Sequence, residues 1–124
     1  MELPWRVERQ VMLSASPNEV WTALTDPSRL SAWLGGDVDL EVVPGGRGLI
    51  RQHNGEVRLV VVEEVIAPKR VVFRWWGVAG HSTTPATVEL TLTELPEGTR
   101  LTVVEQTSQA ESRLRLSDPV DSLR

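Results

Sequence analysis

Hydrophobic and polar side chains alternate along most of this chain, with a period of two residues interrupted once by a helical period. Trp5, Val7, Val11 and Leu13 share one face of the first stretch, opposite Arg6, Glu8, Gln10 and Met12, the signature of a half-buried strand. Arg9 is the exception on the apolar face and reads as a cation reaching water past the rim. The period then changes. Ser16 can cap a helix, Pro17 suits its first position, and Glu19 completes a capping box ahead of Val20, Trp21 and Leu24. Asp26-Pro27 breaks that helix and opens another, with Leu30, Trp33 and Leu34 as its stripe and Gly35-Gly36 as its stop. Two helices this short are stable only against a sheet.

Alternation returns from Asp37 to Val43, with Val38, Leu40 and Val42 facing one way. Pro44-Gly45-Gly46-Arg47-Gly48 is a turn; it lacks the Lys-Ser/Thr ending of a phosphate loop and precedes a strand rather than a helix. Leu49 to His53 is a short strand and Asn54-Gly55 a hairpin signal. The densest stretch follows, two runs of Val, Ile, Phe and Trp joined by Ala67-Pro68-Lys69-Arg70, a β-hairpin. Strict alternation in its first arm puts Val57, Leu59, Val61 and Val65 on one face and Val60, Val62 and Ile66 on the other, so this strand is apolar on both sides and belongs inside the sheet. In its second arm Val71, Phe73 and Trp75 oppose Val72, Arg74 and Trp76, which implies a buried front and a mostly wet back. After a polar loop containing His81, two more strands place Val88, Leu90 and Leu92, then Leu101 and Val103, inward, with Glu105 in register with the last two. The order is strand, two helices, six strands: an α+β domain with an antiparallel sheet and segregated helices.

Composition narrows the chemistry. At 124 residues the chain makes one domain, and with no cysteine it has neither disulfides nor a thiolate metal site or nucleophile. A net charge of −4 with both signs interspersed excludes the basic stripe that nucleic acid requires. No apolar run approaches the ~20 residues of a membrane span, and the first residues are too polar for a secretory signal, so a cytoplasmic location without membrane partners is expected. The two histidines, His53 and His81, have no metal-ligand neighbours at useful spacing, so no metal or cofactor is expected. Five tryptophans against one phenylalanine and no tyrosine supply more indole than a core of this size needs, and the surplus can line a pocket.

The segments VWTALTDPSRLSAWLG, VVVEEVIAPKRVVFRW and TPATVELTLTELPEGTRLTVVEQ, in that order, resemble the SRPBCC superfamily, also called START-like or birch-pollen-allergen-like. Within it they are most similar to the branch named for the activator of the heat-shock chaperone's ATPase. The resemblance covers about residues 7 to 107. It implies a helix-grip fold: a curved antiparallel sheet, two short helices after the first strand, and a long C-terminal helix over a concave face that holds an apolar cavity. Trp21 and Trp33 match aromatic positions on the helices, Pro68 and Trp75 the proline and tryptophan of the central hairpin, and Leu101, Val103 and Glu105 the last strand. Two departures stand out. Val60 occupies a position where many members carry glycine, and the long final helix is shortened or absent, which divides the chain into a domain at 1–108 and a tail at 109–124.

From this resemblance the expected ligand-binding residues are Trp33, Leu40, Val61 and Glu63, Phe73 and Trp75, Val88 and Leu90, and Leu101, Val103 and Glu105. Adjacent residues on a strand point to opposite faces, so at most one of Glu63 and Glu64 is a pocket group. The implied function is binding of a small hydrophobic molecule, such as a lipid, sterol or polyketide, without catalytic residues. Two alternatives are an enzyme on an apolar substrate, a cyclase, dehydratase or hydrolase with a cavity carboxylate as acid or base, and a co-chaperone-like interaction module. Without its lid the concave face would expose Val88, Leu90, Leu92, Leu101 and Val103, a patch that a homodimer would cover.

Overall fold

A computed structural model describes residues 5–34, 36–78 and 84–107, with the backbone but not the side chains of 33 and 34. The expectations for the final helix, for the tail at 109–124, for His81 and for the Trp33 side chain lie outside the described residues.

Strand β1 (Arg6–Leu13) leads into helices α1 (Pro17–Thr25) and α2 (Pro27–Leu34). Six strands follow: β2 (Gly36–Asp39), β3 (Arg47–Gln52), β4 (Val57–Ile66), β5 (Arg70–Gly77), β6 (Ala86–Leu95) and β7 (Gly98–Thr107). All pair antiparallel in one curved sheet of order β1-β7-β6-β5-β4-β3-β2. The six form a meander of hairpins, and β1 closes onto β7 to become one edge while β2 is the other.

The helices begin as the capping chemistry dictates. Ser16 Oγ accepts from the Glu19 amide at 3.2 Å, and the Ser16 amide donates to Glu19 Oε1 at 2.9 Å. The Ser16 amide first, and the Ser16 hydroxyl second, hold the Glu19 carboxyl below its ordinary value of 4.5. Asp26 accepts from the Ser28 amide through Oδ1 at 2.9 Å and starts α2. Val20 and Leu24 of α1 and Leu30 of α2 then bury themselves on the concave face, joining Leu40, Ile50, Val62, Val71, Phe73, Leu90, Leu92 and Leu101 in one core.

Register assigns each strand residue to a face. Leu101 pairs with Leu92 and Val103 with Leu90; Leu90 pairs with Val71, and Val88 with Phe73. Phe73 pairs with Val62 and Trp75 with Val60, so these residues share the concave side. The convex side carries ion pairs of Arg70 with Glu64 at 2.7 Å and with Glu89, and of Arg74 with Glu63 at 3.2 Å. This is the wet back that the second arm implied, with Val72 and Val104 its buried exceptions.

Three expectations need correction. First, β4 does not alternate strictly. The pairing slips between Val62 and Glu64, so Glu64 faces Val72 across the ladder and Val65 faces Val71. This bulge moves Val65 onto the concave side and leaves Ile66 47% exposed, the reverse of uninterrupted alternation. Second, the strand expected over Asp37 to Val43 leaves the ladder after Asp39, because the Val43 and Gly46 amides donate to carbonyls within the turn, those of Glu41 and Val43. Leu40 is nevertheless buried. Third, β1 is exposed along all but its last residue, since it has a neighbour on one side only and neither helix covers it.

The glycine-rich turn is structural. Gly45 donates to the Val62 carbonyl and the Gly46 carbonyl accepts from the Val62 amide, both at 2.8 Å, so this backbone continues the sheet instead of facing an anion.

Candidate functional site

The concave face is divided in two. At the end covered by α1 and α2, the side chains of Leu24, Leu30, Leu40, Ile50, Val62, Phe73 and Leu90 leave a void of about 10 Å³ between them, less than one water needs. At the opposite end, where β1 and β4 begin, β5 and β7 finish and β6 starts, a cleft of about 420 Å³ remains open. That volume is in the range of small-molecule sites.

Position in register builds the wall of this cleft. Val7 pairs with Glu105 and Glu105 with Val88; Ala86 pairs with Trp75, and Arg58 with Gly77. Side chains from β1, β4, β5 and β7 therefore converge across the concave side. Trp75 is the hub. Its indole Nε1 donates to Glu105 Oε2 at 2.9 Å, and its ring meets Phe73 edge-on at 5.5 Å between centres. The Arg58 guanidinium lies over its ring face, 4.4 Å from the centre. Arg58 and Glu105 are 3.9 Å apart, an ion pair with 31% and 29% of the side chains exposed. Trp5, Val7, Trp76 and Ala86 complete an aromatic and aliphatic lining, with Glu56 at the rim.

The residues expected at the ligand fall into three groups. Glu105 lines the cleft, Trp75 is packed against the core and donates to Glu105, and Val103 is half-buried beside the core. Leu40, Phe73, Val88, Leu90 and Leu101 face the concave side but are buried, at 8% exposure or less, within the core that the helices complete. Val61 and Glu63 do not join them. Val61 pairs with Arg74 on the convex side, and Glu63 stands at the bulge with its carboxylate on Arg74. The inward place belongs to Val60, 1% exposed, which fills space between Trp75 and Gly48.

Burial also removes the premise of a covering twin. Val88, Leu90, Leu92 and Leu101 are 1–7% exposed and belong to one core with the helices. Arg58 was missed, yet the sequence carried a signal for it: it continues the inward row of Val60 and Val62, a cation where an aliphatic residue would be expected.

A second hollow of about 500 Å³ lies between the helices and the ends of β1 and β7, against Leu13, Val20, Ala23 and Leu101. It is the more open of the two. Its charged residues are engaged locally, Glu19 in the capping box and Arg29 with Asp26 at 3.9 Å. Among the described residues no group of His, Asp and Glu could hold a metal ion, and no helix is long and apolar enough to cross a membrane.

Comparison with known proteins agrees with this architecture. The family model described as activator of Hsp90 ATPase homolog 1-like protein matches residues 14–118. No curated protein matches the chain. A crystal structure of a Mesorhizobium loti protein is 28% identical, with a TM-score of 0.74 over 82% of this chain and 75% of that one. DynU16, a protein of the dynemicin biosynthetic locus, is 29% identical with a TM-score of 0.74; the match covers 82% of this chain and 37% of DynU16. A Rhodobacter sphaeroides protein is 26% identical, with a TM-score of 0.66 over 90% of this chain and 80% of that one.

Proposed function

Because the chain belongs to the activator of Hsp90 ATPase homolog 1-like family, we propose that it binds a small, largely apolar molecule in the cleft at the open end of the sheet. The observation that carries this reading is the cleft of about 420 Å³ whose wall combines Trp5, Val7, Trp76 and Ala86 with a polar corner. Such a site gains affinity from apolar area removed from water, roughly 25 cal/mol per Å² before costs, and orientation from a few placed polar groups. The ligand enters where side chains leave room, away from the packed end beneath α1 and α2. Similarity to a protein of a biosynthetic locus supports a biosynthetic small molecule among the lipids, sterols and polyketides that the fold suggests. Binding in this cleft does not call for a second copy of the chain.

Native mass spectrometry and thermal shift against fatty acids, sterols and aromatic polyketides test the proposal. A ligand present at a hundred times its dissociation constant adds about 2.7 kcal/mol of stability, a rise of several degrees in melting temperature. Absence of any bound species or shift across the three classes would overturn it.

A further inference from the structure

We propose that two copies of this chain pair through the exposed edge of β1, antiparallel about a two-fold axis at Val7, and continue the sheet from one copy into the other. The sheet has two edges, and only one is guarded. β2 is four residues long, and its Val38 amide donates to Ser31 Oγ of α2 at 2.9 Å. β1 is eight residues long and exposed along all but the last. The Thr107 amide donates to the Trp5 carbonyl, one pair beyond Arg6 and Gln106, so odd-numbered residues bond to β7. The N–H and C=O groups of Arg6, Glu8, Gln10 and Met12 therefore point outward. Among the described residues, no hydrogen bond outside the β7 ladder reaches these backbone groups.

Charged side chains on an edge ordinarily repel an added strand, and register decides whether they do so here. An axis at Glu8 sets Glu8 against Glu8 of the second copy, and an axis at Arg9 sets two guanidiniums together. An axis at Gln10 leaves Glu8 and Arg9 opposite Met12 and Val11. Only an axis at Val7 sets each Arg6 opposite Glu8 of the other copy, on residues whose backbone groups face outward. Arg6 and Glu8 already pair within one strand at 3.0 Å, with 56% and 41% of the side chains exposed, so two copies join four alternating charges. On the opposite face the same register places Trp5 across from Arg9 of the other copy, and Val7 against Val7. Trp5 and Val7 are 39% and 43% exposed, and Arg9 makes no ion pair among the described residues. The cation that interrupts the apolar face of β1 thus gains an indole to lie against. Trp5 and Val7 also line the cleft, so each copy brings an Arg9 to the edge of the other's cleft.

Sedimentation equilibrium of the full chain tests this pairing. Residues 5–9 of each copy make a small interface, so a dissociation constant of about 10 µM to 1 mM is expected. R6E and E8R each set like charges opposite one another and should weaken association about fivefold or more. An equimolar mixture of the two variants should restore it, because opposite charges then meet across the axis. Monomer alone up to about 1 mM, a dimer that neither substitution weakens, or a mixture that associates no better than its components would overturn the proposal. Circular dichroism checks that the variants fold. Should either fail, hydrogen exchange of the unaltered chain decides: the Arg6 and Glu8 amides should slow as concentration rises while that of Met12 stays fast. Unchanged rates at Arg6 and Glu8 overturn the proposal.

Discussion

Gly48 and Gly45 stand in the same turn region and are glycine for different reasons. A Cβ on Gly48 would collide with the Asp39 carbonyl oxygen and sit 2.8 Å from the Leu40 Cα, so backbone would have to move. Gly45 has φ +82° and open space around it, so a side chain there meets only the left-handed backbone penalty. In urea denaturation G45A should cost about 1–2 kcal/mol and G48A about 3 kcal/mol or more, as expected when backbone must shift. Trp75 joins the packed and open halves of the concave face, and W75F removes the donor to Glu105 while keeping a ring against Phe73. A loss of about 1 kcal/mol is expected, discounted for the partial exposure of Glu105. At this scale the sequence was informative about Trp75 and Glu105, because both lie in strands whose mutual register with β6 is unbroken. It was silent on their mutual bond, since partners 30 residues apart meet only through the β5-β6-β7 register.

The helices and hairpins were legible element by element wherever local chemistry sets their limits. Ser16, Pro17 and Glu19 mark the start of α1 in sequence and in structure alike. The Glu19 carboxyl is held below its ordinary value by the Ser16 bonds, so its contribution is fully present above about 4.5 and is lost as pH falls through the lowered value. S16A should cost about 1 kcal/mol at neutral pH, and the difference in stability between E19Q and the unaltered chain should shrink in melting curves taken below pH 4.5. The bulge in β4 was not legible, because one extra residue leaves composition unchanged while reversing every later side chain. Strict alternation placed Val61 and Glu63 on the face of Val65; the bulge separates them, and of the three only Val65 faces the concave side. The same feature yields a contrast: V65D, facing the core, should cost about 3 kcal/mol or more, whereas I66D, 47% exposed, should stay within about 0.5 kcal/mol. Thermal denaturation of the two variants reads this directly.

Over the whole molecule, the succession of the last six strands followed from hairpin signals and the two helices from their short helical periods, whereas the pairing of β1 with β7 had no local signal. What could not be read was how far the helices reach across the concave side, because filling depends on the joint volume of residues from six elements. L101A removes a side chain 1% exposed in the packed half and should cost about 2–5 kcal/mol. Because Leu101 does not line the open cleft, the affinity of a fatty acid, sterol or polyketide bound there should stay the same, which calorimetric titration can check.

A sheet whose one end is solid and whose other end is hollow keeps its foundations apart from its doorway. Side chains around the hollow end can be exchanged at little cost in packing, while the buttressed end goes on supporting the fold.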